Sequence, residues 1–212
     1  MVDVNHAISL FNQNAFSQVC NRYEAYLGQN PTLDMVLAVS FSKLGNTHRA
    51  HQILTDLQQR FPTNPDIAFN DALVYKNEGN AEQCERCLVK AIEINGNYHP
   101  AHYALGNVNY DIGKFEVALD NYQTANQQAP NRLDYIRSLS ACYGQLGQHK
   151  QAFSIISPVL DSGQDSPDDH IHAMQQLYFD NDYVAARKLY RKSLNSNQAS
   201  GYLQFYYGLI EI

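Results

Sequence analysis

Residues His99 to Pro130 read HPAHYALGNVNYDIGKFEVALDNYQTANQQAP. Gly113 stands near the middle of this stretch. Glycine accepts the left-handed conformation that ends a helix, so it marks a turn between two helices. Ala118, five residues later, is small enough to let the second helix approach its neighbours closely, while large side chains such as Tyr122 fill the space between helices. Pro130 cannot continue a helix and closes the segment. The stretch predicts a helix, a tight turn and a second helix.

The same pattern extends in both directions with a period of 34 residues. Gly45, Gly79, Gly113 and Gly147 are followed one step further by Asn181. Five residues after each stand Ala50, Cys84, Ala118, Ala152 and Ala186, all small. Four residues before each stand Phe41, Tyr75, Asn109, Tyr143 and Leu177, mostly large and apolar or aromatic. Leu54, Leu88, Tyr122, Ile156 and Tyr190 share the period, as do Leu57, Ala91, Ala125, Val159 and Ser193. Pro62 repeats the stop made by Pro130.

At Leu105, Gly106, Gly113, Phe115, Ala118, Tyr122, Ala125 and Pro130 the opening stretch resembles the tetratricopeptide repeat. It departs from that family at Asn109, where an aromatic is usual, and at His102, where tryptophan is usual. The resemblance covers nearly the whole chain, in units of about 31–64, 65–98, 99–132, 133–166 and 167–200, after a divergent unit at about 3–30 that carries Phe16 and Tyr23. Gln164 and Gln198 replace the helix-ending proline in the last two of these. Advancing the register from Gly106 and Ser140 through Met174 reaches Gly208, so 201–212 reads as the first helix of a seventh unit. The expected fold is all-α, a single array of tandem helix-turn-helix repeats. The resemblance implies a right-handed superhelix.

Composition narrows the function classes. The 212 residues are 44% hydrophobic, enough for a substantial core, and carry a formal net charge of −6 with no long run of Lys or Arg. That balance speaks against nucleic acid and against a polybasic membrane surface. The N-terminal MVDVNHAISLFNQ has no basic region ahead of an apolar run, and the longest apolar runs are too short to cross a bilayer, which together read as a cytoplasmic chain.

Isolated motifs carry little chemistry. Cys84 and Cys87, in the sequence CERC, fall at the periodic small position and one helical turn later, so they read as packing residues; Cys20 and Cys142 lie far from them. The pairs His48/His51 and His99/His102 have a spacing a metal could use but no third ligand nearby. FDNDY, Phe179 to Tyr183, lacks the glycine and terminal Glu of a calcium loop. No phosphate-cradling glycine loop, nucleophile elbow or dinucleotide fingerprint is present. The expectation is a non-catalytic chain with no metal and no cofactor.

In stacked helical pairs the first helix of each unit lines a concave surface. The family resemblance places groove contacts at the second, fifth, ninth, twelfth and thirteenth positions of a unit. Carried over, they give Phe69, Lys76 and Asn77, then Tyr103, Asn107, Tyr110 and Asp111, then Arg137 and Gln145, then Gln175 and Tyr178, with Leu73, Ala141 and Phe179 between them. Aromatic rings mixed with amides suit an extended peptide. The family's carboxylate clamp, built from paired Lys and Asn with further basic residues, cannot be assembled here, because Lys76 and Arg137 are isolated and Asp111 stands between their units. The predicted partner is a protein or peptide bound in the groove. A rival reading makes the chain the N-terminal, substrate-recruiting module of a larger enzyme, such as a transferase, with its catalytic domain beyond Ile212. A third is self-assembly through the ends of the stack. The last segment, GYLQFYYGLIEI, is apolar nearly all round a helix. It predicts either a covering helix further along the chain or a homodimer made through Tyr202, Phe205, Tyr206, Leu209 and Ile212.

Overall fold

A computed structural model describes residues 2–195 and 201–210. Among them are thirteen α-helices and one short 3-10 helix, with no strand. The helices fall in hairpins: α1 (Val4–Asn12) with α2 (Phe16–Tyr23), α3 (Pro31–Lys43) with α4 (Thr47–Arg60), α5 (Pro65–Asn77) with α6 (Ala81–Ile94), α7 (His99–Asp111) with α8 (Phe115–Gln128), α9 (Leu133–Gln145) with α10 (His149–Asp161) and α11 (Pro167–Phe179) with α12 (Tyr183–Asn195). A single helix, α13 (Gly201–Ile210), follows. The chain forms two compact units, Met1–Val108 and Asn109–Ile212.

Every predicted turn has the same backbone chemistry. Gly45, Gly79, Gly113, Gly147 and Asn181 all have positive φ, between 59° and 82°. The N–H that follows each returns to the carbonyl five residues back: Asn46 to Phe41 at 2.9 Å, Asn80 to Tyr75 at 3.0 Å, Lys114 to Asn109 at 2.9 Å, Gln148 to Tyr143 at 2.9 Å and Asp182 to Leu177 at 3.0 Å. This is the helix-ending bond that a left-handed residue permits. Because it uses the carbonyl and not the side chain, Asn109 can stand where the other repeats carry larger apolar groups. The first hairpin makes the same bond, Ala15 N–H to Leu10 at 2.9 Å, around Asn14 with φ of 58°. That turn lies three residues later than the 34-residue period would put it, so the register alone does not find it.

Helix starts are also set locally. Pro31, Pro65 and Pro167 occupy the first helical turn, where no N–H is needed. Asn30, Asn64 and Ser166 ahead of them accept free N–H groups, and Ser166 completes a capping box with Asp169.

Packing follows from the small residues. Ala50, Ala118, Ala152 and Ala186 are fully buried and Cys84 nearly so. In the first unit α3 packs on α4 and α5, and α5 on α6; in the second α9 packs on α8 and α10, and α11 on α10, α12 and α13. The buried apolar side chains form separate clusters: one around Leu37 and Leu54 and one around Ala72 and Leu88 in the first unit, and one around Ile156 and Met174 in the second. Within each unit, neighbouring hairpins stabilise one another.

Replacing Ala118 with Leu should overpack the closest approach between helices and lower stability by about 1 to 3 kcal/mol. Urea unfolding measures it, and an unchanged midpoint would count against close helix approach at this position.

Candidate functional site

In the first unit the predicted groove residues sit on α5 and α7. Phe69 is half-buried, edge-on to Tyr98 with centroids 5.7 Å apart. Lys76 and Asn77 are exposed at the end of α5, and the Asn77 amide donates to Ser42 Oγ at 2.9 Å. Tyr103 and Asn107 are half-buried on α7. The unit also has a 270 Å³ cavity, but Gln58, Asp71, Cys87 and Lys90 on its wall are not groove positions.

The second unit brings five predicted residues together. Tyr110, Ala141, Gln145, Gln175 and Phe179 line one cavity of 430 Å³ with Gly144 and His149. Tyr110 is braced by Phe115, at 5.2 Å between centroids, and His149 is stacked on Phe179 at 5.2 Å and 29°. Asp111 is exposed and does not line the cavity. The Arg137 guanidinium is committed to Asp169, with Nε at 2.8 Å and Nη2 at 2.7 Å from the two carboxylate oxygens. Asp169 is buried at the third position of its repeat, where Leu33 and Ile67 stand elsewhere. Burial raises its carboxyl, but the Arg137 pair and the Ser166 N–H and hydroxyl outweigh that and hold it below the usual carboxylate range. Tyr178 is half-buried among Phe179, Tyr183 and Tyr206.

Beside the cavity runs a chain of polar groups that the repeat register does not foreshadow. His149 Nδ1 lies 2.9 Å from Gln176 Oε1, Gln176 Nε2 lies 3.5 Å from His172 Nδ1, and His172 Nε2 lies 2.9 Å from Ser140 Oγ. The Ser140 hydroxyl donates to the Ala152 carbonyl at 2.6 Å. Gln176 and Ser140 are buried at positions where other repeats carry Val74, Cys142, Ala38 or Ala72. Gly144 makes room for Gln176, since a Cβ there would stand 2.9 Å from Gln176 Oε1. Burial pushes His172 below the usual histidine range, and Asp169 only partly opposes it. The usable signals in the sequence are a glycine inside a helix and polar residues at apolar register positions.

α13 packs one side against the second unit. Leu203 is fully buried and Ile210 nearly so. Tyr207 stacks on Tyr190 at 4.0 Å and 16°, and Gln175 Nε2 donates to Tyr206 Oη at 3.0 Å. Tyr202, Phe205 and Leu209 remain 72%, 60% and 36% exposed, on one stripe at the second, fifth and ninth positions. Those are the positions at which the resemblance predicts groove contacts. Gly208, at the eighth position where Ala38, Ala72, Ser140 and Met174 are buried, is itself exposed, so the side on which other repeats carry buried groups bears no side chain there. A second cavity, of 610 Å³, is lined by Gln175, Tyr202, Phe205 and Tyr206 and shares Gln175 with the first. Ile212, the last of the predicted self-association residues, lies outside the described residues.

Other reactive arrangements are closed off. Asp165, His170 and Ser193 are linked in order, at 2.7 Å and 2.6 Å, but His170 and Ser193 are fully buried and Ser193 Oγ also reaches the Leu189 carbonyl at 2.9 Å. No substrate reaches that hydroxyl, and the linkage bolts α11 to α12. Burial pushes the Cys20 and Cys142 thiols up to about 11 and Cys87 up to about 12, so they stay protonated and unreactive near neutral pH. His51 is held between Asp71 and Glu78, and His102 lies 3.0 Å from the Gly96 carbonyl. Among the described residues no group of three His, Cys, Asp or Glu could hold a metal ion, and no helix is long and apolar enough to cross a membrane.

The hairpins, their left-handed turns and their small-residue contacts define a helical-repeat protein, and comparison with known proteins identifies the repeat. Residues 66–98 match the tetratricopeptide repeat. A stretch of 84 residues is 25% identical to BBSome complex member bbs-4 of Caenorhabditis elegans, covering 39% of this chain and only 18% of that protein. Among solved structures, the MamA protein superposes with a TM-score of 0.67 at 18% identity, over 79% of this chain and 92% of that one. PilF of Pseudomonas aeruginosa gives 0.65 at 20% identity, over 80% and 77%. The first TPR of Spaghetti (RPAP3), solved bound to the HSP90 peptide SRMEEVD, gives 0.51 at 21% identity, over 56% and 94%. One stretch, residues 66–98, matches the tetratricopeptide repeat in sequence, and the hairpins around it share the fold of these structures.

The depressed basicity of His172 sets a sign for pH dependence. Folded His172 takes up a proton less readily than the unfolded chain does. As pH falls through the ordinary histidine range, about 6.5, the unfolded state is charged first and stability falls; above that range the effect vanishes. The urea midpoint of the wild type should therefore drop more between about pH 7.5 and 5.5 than that of His172→Gln. Equal drops would show that His172 is not held neutral.

Proposed function

We propose that this protein is a non-catalytic interaction scaffold whose second unit binds an extended peptide segment of a protein partner. The observation that carries the reading is the meeting of Tyr110, Gln145 and Gln175 on one 430 Å³ cavity, continued through Gln175 into the aromatic cavity of α13. Amides there can pair with a peptide backbone while Tyr202 and Phe205 cover its apolar side chains. Binding of the HSP90 peptide by the RPAP3 repeat supports this use of the fold. Phe69, Lys76, Asn77, Tyr103 and Asn107 provide further groove positions in the first unit. Arg137 contributes by holding α11 through Asp169, and Tyr178 by bracing Tyr206.

A library of 12-residue peptides displayed on phage, panned against the whole chain, tests the reading. Peptides selected on the wild type should bind the Gln145→Ala/Gln175→Ala/Tyr202→Ala triple variant at least tenfold more weakly, with the urea midpoint little changed. Undiminished binding would remove the second unit's groove as the site. Sedimentation over a wide concentration range assigns the α13 stripe: a monomer that binds peptide places the stripe in the groove, and a dimer dispersed by Tyr202→Ser/Phe205→Ser places it in self-association.

A further inference from the structure

The polar chain beside the cavity has a direction, and the direction can be read from its far end. The Ala152 carbonyl can only accept, so the Ser140 hydroxyl proton points to it across 2.6 Å. Ser140 Oγ is then the acceptor for His172 Nε2, which must carry the ring proton. A neutral His172 has a bare Nδ1, which takes the N–H of Gln176 Nε2 at 3.5 Å. That orients the amide, leaving Gln176 Oε1 as the acceptor 2.9 Å from His149 Nδ1. His149 is thus held with its proton on Nδ1, because the bond one ring nitrogen makes decides the state of the other. Its Nε2 has no partner among the described residues, and the ring lines the 430 Å³ cavity.

We propose that this relay makes the cavity an acceptor subsite, in which His149 Nε2 takes an amide N–H from the bound polypeptide. The assignment rests on reading the second unit's groove as a peptide site and adds which group of the peptide is recognised. An uncharged donor is favoured over a cation, since none of the side chains on the cavity wall carries a carboxylate or a fixed charge. An amide also fits the neighbouring Gln145 and Gln175, which can complete its carbonyl side. The relay consists of four buried or half-buried polar groups, each of which would be costly if left unpaired. All four are satisfied only when the chain runs in this one sense. Gly144 is part of the device: glycine is less favourable than alanine inside a helix, and here its missing Cβ is the space that Gln176 occupies.

The test is nuclear magnetic resonance of the whole chain in alkaline buffer, reading the ring nitrogens of His149. The wild type should show protonated Nδ1 and bare Nε2. Gly144→Ala should displace Gln176 and abolish this fixed state, as should Gln176→Leu, which leaves α9 untouched. Titration with N-methylacetamide, the probe for a backbone amide, should shift the His149 ring and the Gln145 and Gln175 side-chain signals. N,N-dimethylacetamide, which has no N–H, should shift them at least tenfold less, and His149→Phe should lose the response while keeping its stack on Phe179. A response to acetamide in place of N-methylacetamide would support the subsite and assign it to a side-chain amide. Protonated Nε2 in the wild type, or equal responses to the probes with and without N–H, would overturn it. If those results appear while panned peptides still depend on Gln145 and Gln175, the groove reading stands and only the acceptor subsite falls.

Discussion

The bond from the residue after each turn back to a carbonyl five positions earlier is what the architecture depends on. It forms only if the intervening residue adopts positive φ, and it fixes how the second helix leaves the first. Once that angle is set, the residue five positions on lies where two helices come closest. Ala50, Cys84, Ala118, Ala152 and Ala186 are buried there for that reason. The first helix of a hairpin can then pack on its own partner and on the preceding hairpin, as α3, α5, α9 and α11 do. The positions proposed to meet a peptide lie on these first helices.

This explains which features could be read from the sequence. Gly45, Gly79, Gly113, Gly147 and Asn181 were legible because positive φ restricts residue choice, so the constraint shows directly in composition. Cys84 and Cys87 were legible as packing residues for the same kind of reason. The first turn escaped because Asn14 breaks the period by three residues, and nothing local ties that hairpin to the register of the others. The register predicts groove positions but not which side chains are available there. Arg137 occupies a predicted groove position, yet its charge is matched by Asp169 on the next hairpin, 32 residues away. Periodicity specifies neighbouring backbone positions; it does not specify which side chains will pair across them. His149, His172 and Gln176 were missed for a related reason, because their relationship runs through a gap that only the absence of a Cβ at Gly144 creates.

Polar groups inside the second unit have two different outcomes. Asp165, His170 and Ser193 run inward and end on the fully buried Ser193 hydroxyl, and they serve to fix α11 on α12. Ser140, His172, Gln176 and His149 are open at one end, and that end lies on the cavity. The two sets use the same residue types at similar distances. What separates them is whether the last member can reach solvent, a property of burial and not of motif.

Repeat arrays are usually treated as strings of exchangeable modules, since each unit meets only its neighbours. The relay limits that freedom at one junction. Ser140, Gly144, His149 and Ala152 belong to one hairpin, while His172 and Gln176 belong to the next. Recombination, duplication or consensus redesign that separated these two hairpins would leave Gln176 without His149 and Ser140 without His172. Across this junction the two hairpins act as a pair, and a rearrangement that preserves the relay must move them together.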